Sequence, residues 1–200
     1  KRVKTINIKH DKGWSSNLKF ALKQINEEYV IYLQEDYFLT EDINSKEVNR
    51  MIELVKDENV AYLRLSKKQE MIKYKDFDDV MEIPKSAGYL NSTQAAIWDK
   101  HCLLGILKDG ESGWDFEGEK GLSRTREIKK PFLCTVKNVL PYFRTAIVKG
   151  VYVYDALQLC EKENIQINAP ILKKETYFQS LIRTSKIYKS LKRLYRVVKK

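Results

Sequence analysis

Tyr29-Val30-Ile31-Tyr32-Leu33-Gln34-Glu35-Asp36-Tyr37-Phe38-Leu39 is the stretch whose reading decides the fold class. Its first five residues are β-branched, aromatic or aliphatic, with no Gly or Pro, which is the composition of a buried strand. Glu35 and Asp36 cannot continue such a strand through a core, because an unpaired buried carboxylate is costly to desolvate. The pair therefore belongs at the strand's C-terminal end, where open α/β sheets place their ligand sites.

Upstream, Val3 to Ile8 alternates as a short strand and His10-Asp11-Lys12-Gly13 is a turn. Trp14, Leu18, Ala21, Leu22 and Ile25 then fall on one face of a helix, with Ser15 or Ser16 available as its cap. Strand, helix, strand in this order is a βαβ unit and predicts parallel strands with a right-handed crossover. Downstream, a helix near Ser45 to Lys56 turns Val48, Met51, Ile52 and Val55 inward and leads to a strand from Val60 to Leu65. Residues 67 to 86 are polar, contain Pro84 and read as a surface excursion or an acceptor-side loop. Tyr89 to Trp98 offers another strand, followed by a helix from about Asp99. Pro131 to Val139 gives one more strand, Lys149-Gly150 a turn and Tyr152 to Cys160 a helix.

Several residues stand out chemically within this frame. Arg64 puts a permanent charge in a strand, either as a strand-end arginine in a salt bridge or as a ligand for a phosphate or for the Glu35/Asp36 region. Ser92-Thr93-Gln94, entering an apolar strand, reads either as ligand contact through Ser92 and Gln94 or as a capped strand start. Gly110-Glu111-Ser112-Gly113-Trp114-Asp115-Phe116-Glu117 is a second acidic cluster. Ser112 and Asp115 have the spacing of a helix-start capping box, which gives Asp115 a structural role that Glu111 lacks. Glu117 is either solvated or grips an arginine. Arg124 and Arg126 follow, to pair with these acids or to bind a diphosphate.

Composition narrows the function classes. With 43% hydrophobic residues, 200 residues suffice for one domain with a real core. No run approaches 18 consecutive apolar residues and no signal-peptide pattern opens the chain, so neither is expected. Cys102, Cys134 and Cys160 are odd in number and widely spaced, which speaks against a disulfide framework and for a reducing compartment. His10 and His101 are too few for a histidine metal site. The net charge is +10, yet residues 173 to 200 hold ten Lys/Arg against the single acid Glu175 and so carry +9 of it. The basicity belongs to a tail, 173–200, and the domain over 1–172 is nearly neutral.

On a helical wheel that tail sorts Leu181, Ile187, Tyr188, Leu191, Leu194, Tyr195 and Val198 onto one face and Lys186, Lys189, Arg193, Arg196 and Lys200 onto the other. A basic amphipathic helix of this kind predicts contact with an anionic membrane surface through residues 176–200. Packing on its own domain or on a partner is the alternative. No nucleic-acid partner is expected, because the domain offers no supporting basic face.

A carboxylate pair at a strand end, without a Gly-rich loop or a Cys/His cluster, suits Mg²⁺ or Mn²⁺ shared with substrate phosphates. The runs Gln34-Glu35-Asp36-Tyr37-Phe38 and Trp114-Asp115-Phe116-Glu117, with Tyr62-Leu63-Arg64-Leu65 and Ser92 to Trp98, resemble bacterial GT-A-type glycosyltransferases of surface polysaccharide assembly. The resemblance spans about residues 5 to 150. It implies an α/β fold, a Rossmann-like mixed but mostly parallel sheet flanked by helices, completed here by the C-terminal amphipathic helix. It implies transfer from a nucleotide-sugar donor to a glycan or lipid-linked acceptor at the cytoplasmic face of the membrane, with inversion. Glu35 and Asp36 would hold the metal, Glu111 or Asp115 would be the base, and Gln34, Glu35, Arg64, Ser92, Gln94, Trp114, Glu117, Arg124 and Arg126 would contact donor or substrate. Gln34 stands where many such enzymes have the first Asp of an Asp-x-Asp motif, and the resemblance leads one to expect that the nucleoside-binding βαβ unit that opens the fold is absent or truncated ahead of Val3. The alternative is a catalytically silent module of this fold that binds glycan or scaffolds a complex.

Overall fold

The computed structural model describes residues 3–143, 145–167 and 172–185. The chain divides into two compact units, one made of residues 1–34 with 42–141 and the other of residues 35–41 with 142–200. The first is α/β: a six-stranded mixed sheet flanked by helices.

Its elements in chain order are α1 (Trp14–Leu22), β1 (Tyr29–Tyr32), α2 (Ser45–Asp57), β2 (Tyr62–Arg64), β3 (Ile72–Lys73), β4 (Val80–Glu82), β5 (Ala96–Asp99), α3 (Lys100–Ile106), α4 (Gly113–Glu117), α5 (Glu119–Arg126) and β6 (Phe132–Thr135). The strand order is β1-β5-β2-β6-β4-β3. β5 lies antiparallel between β1 and β2, β2 and β6 are parallel, and β4 and β3 continue antiparallel.

Three expectations are corrected here. Val3 to Ile8 forms no strand: Val3 is exposed, Ile6 and Ile8 are only half-buried, and this is too little apolar surface to hold a ladder. The parallel βαβ opening therefore does not form, and β1 pairs with β5 instead, at the sheet's edge among the described residues, with Ile31 exposed. The sheet is not mostly parallel by ladder either, since only β2 and β6 are parallel neighbours, although β1, β2 and β6 do run the same way. Residues 67 to 86 are no mere excursion, because they supply β3 and β4 beside β6. Sequence periodicity missed these strands because each has only two or three residues.

Local chemistry fixes the helices. Asn44 Oδ1 accepts from the amides of Lys46 and Glu47 to start α2, whose Val48, Met51, Leu54 and Val55 are buried. Asp99 ends β5 and caps α3 through the amides of His101 and Cys102 while pairing with Lys130 Nζ at 2.6 Å. Burial pushes the Asp99 carboxyl up, but Lys130 and the two helix amides outweigh it and hold the carboxyl low. α1 begins at Gly13 with no side-chain cap; Ser16 instead accepts from the amide of Gly110, and Ser15 is fully buried.

One face of the sheet carries the aromatic core. Trp98, Tyr62 and Phe132 sit on neighbouring strands with ring centroids 4.5 to 6.0 Å apart, and Phe116 of α4 closes on Trp98 at 6.2 Å. Leu63, Leu65, Ile97 and Leu133 on the opposite face are also buried, so both faces of the central strands are covered.

The second unit holds a three-stranded sheet of β7 (Ile147–Val148), β8 (Val151–Tyr152) and β9 (Lys173–Lys174), with α6 (Tyr154–Lys162) and α7 (Tyr177–Thr184). Ala146, Val153 and Ala156 form its small core with Phe38 and Phe143. Of the expected C-terminal amphipathic helix, α7 is its described part. Ile187, Tyr188, Leu191, Leu194, Tyr195, Val198 and the lysines and arginines from Lys186 onward lie outside the described residues. Among the described residues no helix is long and apolar enough to cross a membrane.

Gly121 of α5 makes the closest approach in the first unit, since a Cβ built there would lie 1.8 Å from the carbonyl oxygen of Phe116. Gly121→Ala should therefore destabilise by about 2 kcal/mol through overpacking, against a helix-propensity gain of about 1 kcal/mol. Urea unfolding checks this, and unchanged or increased stability would refute the constraint.

Candidate functional site

The carboxyl ends of β1, β2 and β6 and the start of β5 meet at one edge of the sheet. In-register partners of a pleated sheet project to the same face, so Tyr32, Ala96, Arg64 and Cys134 form one row across it. Gln34 and Ser66 adjoin this row through hydrogen bonds with Tyr32 and Arg64, and Gln94 lies just ahead of β5.

Glu117 joins this edge from α4. Its Oε1 accepts from the amide of Thr93 at 2.6 Å, from Thr93 Oγ1 at 2.9 Å and from Ser92 Oγ at 3.2 Å. Its Oε2 accepts no hydrogen bond from the described residues, and Glu117 pairs with no arginine there. A half-buried carboxylate thus has one oxygen anchored by three donors and the other available. Asn91, fully buried, ties the same loop to α4 by donating to the carbonyl of Phe116 at 2.6 Å.

Arg64 lies at the end of β2 and is half-buried. Its Nε donates to Ser66 Oγ at 2.9 Å, and no carboxylate among the described residues pairs with it. Ala96, its in-register neighbour, leaves the space beside it small-sided. Tyr32 OH, further along the row, accepts from Trp14 Nε1 at 3.1 Å and from Gln34 Nε2 at 3.4 Å. A carboxylate tied to the segment before β5 and a guanidinium at the end of β2, not paired with one another, leave an acceptor and a forked donor for a ligand.

The other acids near α4 are committed elsewhere. Glu111 receives Arg124 in a fork, Nη1 to Oε1 at 3.1 Å and Nη2 to Oε2 at 2.5 Å, while Arg124 Nε donates to the carbonyl of Ile106. Asp115 and Ser112 form the expected capping box, with the Ser112 amide and hydroxyl donating to Asp115 Oδ2 at 2.9 and 2.6 Å. The Ser112 hydroxyl and then its amide hold the Asp115 carboxyl below its usual range. Arg126 pairs with Glu119 and donates to the Lys85 carbonyl. Both arginines thus take the salt-bridge arrangement. Trp114, on the same short helix, is 83% exposed.

Glu35 and Asp36 leave the strand in a turn just past β1, as the opening stretch implies, and belong to the second unit. The Asp36 carbonyl accepts from the amide of Ala146, and the Phe38 carbonyl from that of Phe143. Neither carboxylate forms an ion pair with any described residue. Burial, and then the adjacent Glu35, push the Asp36 carboxyl up. Two such carboxylates without a cation are the electrostatic situation a divalent ion relieves. Among the described residues no three His, Cys, Asp or Glu side chains converge to hold a metal by themselves, so an ion here would need oxygens from a ligand.

Sequence reasoning named Gln34, Arg64, Ser92, Gln94 and Glu117, and the fold brings these to one sheet edge. It did not name Thr93, whose amide and hydroxyl anchor Glu117, nor Tyr32, which gathers Trp14 and Gln34. The polar Ser-Thr-Gln run entering β5 was the visible signal for Thr93.

No family model, curated protein or solved structure matches this chain.

Glu111→Gln should destabilise by about 2 kcal/mol by leaving Arg124 without its counter-charge. Glu117→Gln, whose amide oxygen still accepts from Thr93 and Ser92, should change stability far less; equal losses in thermal melts would sink the distinction. Asp36 binds its proton more tightly folded than unfolded, so its contribution favours folding at low pH and is lost as pH rises through the raised value. In metal-free buffer Asp36→Asn should therefore gain stability over wild type as pH increases from acid to neutral. Parallel pH dependences of the two proteins would refute that environment.

Proposed function

We propose that this chain is a glycosyltransferase of the GT-A type, moving a sugar from a nucleotide-sugar donor to a glycan or lipid-linked acceptor of cell-surface polysaccharide. The observation that carries this reading is the half-anchored carboxylate of Glu117, tied to Thr93 at the approach to β5, together with the guanidinium of Arg64 at the end of β2, which pairs with no carboxylate among the described residues. Transfer to an acceptor hydroxyl needs a base to take its proton and a cation to balance the departing diphosphate. Glu117 Oε2 supplies the first, taking the hydroxyl proton as its oxygen bonds to the sugar carbon and the bond to the diphosphate breaks. Arg64 offers two further donors suited to a phosphate or sugar oxygen.

Among the three acids of the second cluster, Glu117 is preferred as base to Glu111 and Asp115. Glu111 has both oxygens engaged by Arg124, and Asp115 serves the capping box. Trp114 presents an exposed indole face of the kind on which a sugar ring rests.

Glu35 and Asp36, in the second unit, are the residues that would hold Mg²⁺ or Mn²⁺, an ion that when bound neutralises phosphate charge. Neither pairs with a cation among the described residues, and the raised Asp36 carboxyl fits such an ion. Gln34, bonded to Tyr32, stands beside them in sequence as a hydrogen-bonding residue for the donor. Working position is peripheral, at the cytoplasmic face of the membrane.

Isothermal titration of the chain with UDP- and GDP-sugars in Mn²⁺, followed by a mass-spectrometric transfer assay, tests the proposal. One donor should bind, Asp36→Ala should weaken it at least about tenfold, as loss of a metal ligand does. Glu117→Gln should keep donor affinity and lose about 10²–10⁴ in transfer rate. Absence of any nucleotide-sugar binding would overturn the proposal. Binding without transfer in wild type would assign the silent glycan-binding role.

A further inference from the structure

α7 is held firmly on one side and, among the described residues, exposed on the other. Thr176 and Gln179 close a capping box at its start, Ser180 is buried, and the Tyr177 ring meets that of Tyr154 edge to face at 5.4 Å. Arg183, in its last turn, clamps both oxygens of Glu175 at 2.7 and 3.1 Å and reaches Asp155, while Glu175 also caps the amide of Tyr154. Burial opposes the charge on Glu175, but Arg183, the largest influence, holds its carboxyl low, so the clamp is closed at neutral pH. The helix is thus a fixed element and not a fraying end.

Its other side carries Phe178 at 71% exposure, Tyr177 at 59%, and Leu181 and Ile182 at 47% each. At 100° per residue these four positions fall within one arc of the helix surface. A monomeric soluble surface rarely gathers two aromatic and two aliphatic side chains in two turns. The same unit also carries exposed lysines. Lys173 and Lys174 of β9 are exposed, and the Lys173 amide donates to the carbonyl of Gly150, next to exposed Lys149 in the β7–β8 turn. Both Lys149 and Gly150 have positive φ, 50° and 74°, so this turn is a tight hairpin tip that projects the lysine. In the sequence that follows α7, residues 186 to 200 hold seven Lys/Arg and no acid, interleaved with Ile187, Tyr188, Leu191, Leu194 and Tyr195.

We propose that the exposed apolar face of α7, with Phe178 and Leu181 at its centre, docks on an anionic lipid bilayer, drawn there by the basic residues of 173–200. Aromatic and aliphatic side chains enter the headgroup boundary while lysines meet the anionic headgroups. Charge decides the occupant. Nine of the chain's ten net positive charges lie between residues 173 and 200, a concentration that would repel a second copy and attract a negative surface. Nucleic acid would also attract it, but Leu181 and Ile182 offer nothing to a base or phosphate and suit a bilayer's acyl boundary. The proposal rests on the peripheral membrane position of the proposed function and not on the reaction, so vesicle binding and donor binding can fail separately.

Co-sedimentation of the full chain with vesicles of phosphatidylcholine, with and without phosphatidylglycerol, tests it, using wild type and the double variant Phe178→Asp/Leu181→Asp. Both side chains are exposed, so circular dichroism and melting should be unchanged, and nucleotide-sugar affinity should also be unchanged. Wild type should bind only the phosphatidylglycerol vesicles, less so at high salt, and the double variant should bind at least about tenfold more weakly. Equal binding by the two proteins would overturn the proposal, as would failure of wild type to bind. A lipid-free dimer that the variant dissolves would assign the face to self-association, and variant-sensitive RNA binding would assign it to nucleic acid; either would overturn it too.

Discussion

Trp98 is the side chain on which the first unit is hung. It lies on β5, the strand that runs against its two neighbours, and its indole touches Tyr62 on β2, Phe132 on β6 and Phe116 on α4. Burying an indole and three rings in one place contributes several kcal/mol by area alone, and here the same contacts fix where α4 sits over the sheet. Glu117 is the next residue after Phe116. The core thus sets the position of the carboxylate, and the hydrogen bonds from Ser92 and Thr93 set its orientation.

This division of labour explains why the edge of the sheet can hold charged groups at all. Phe116 and Trp14 exclude water beneath it, with rings 5.3 Å apart, while Tyr32 turns its hydroxyl toward Gln34. Glu117 is oriented by three donors and Arg64 by a serine hydroxyl. Neither group is neutralised by the other, which is the condition for a site that must meet a ligand carrying both hydroxyls and negative charge.

How much of this was legible depended on the range of the forces involved. The Asn44-capped helix, the Ser112-Asp115 box and the strand ending before Glu35 and Asp36 are set by residues within one turn of each other, and the sequence pattern discloses them. The direction of β5 is not local. Ala96-Ile97-Trp98 reads the same whether its neighbours are parallel or antiparallel, and only the insertion between β1 and β2 decides it. The roles within the second acidic cluster were hidden for the same reason. Glu111 meets Arg124 thirteen residues on, and Glu117 meets Thr93 twenty-four residues back, so neither partner lies within reach of a spacing argument. Val3 to Ile8 failed in the opposite sense, since alternation there is not backed by buried surface.

The position of β5 has a consequence for how the chain assembles. β1 and β2 do not touch in the ladder order; each waits for residues 96–99 to arrive between them, and β2 then awaits β6 on its other side. Residues 35–41 wait longer still, since Asp36 and Phe38 bond to Ala146 and Phe143. On a ribosome, where synthesis is vectorial, the first ninety or so residues emerge with β1 and β2 lacking a neighbour and with β3 and β4 able to pair only with each other. Folding is governed by these distant pairings rather than by helix formation, and should be slow for a domain of this size, with apolar strand edges exposed until the sheet closes.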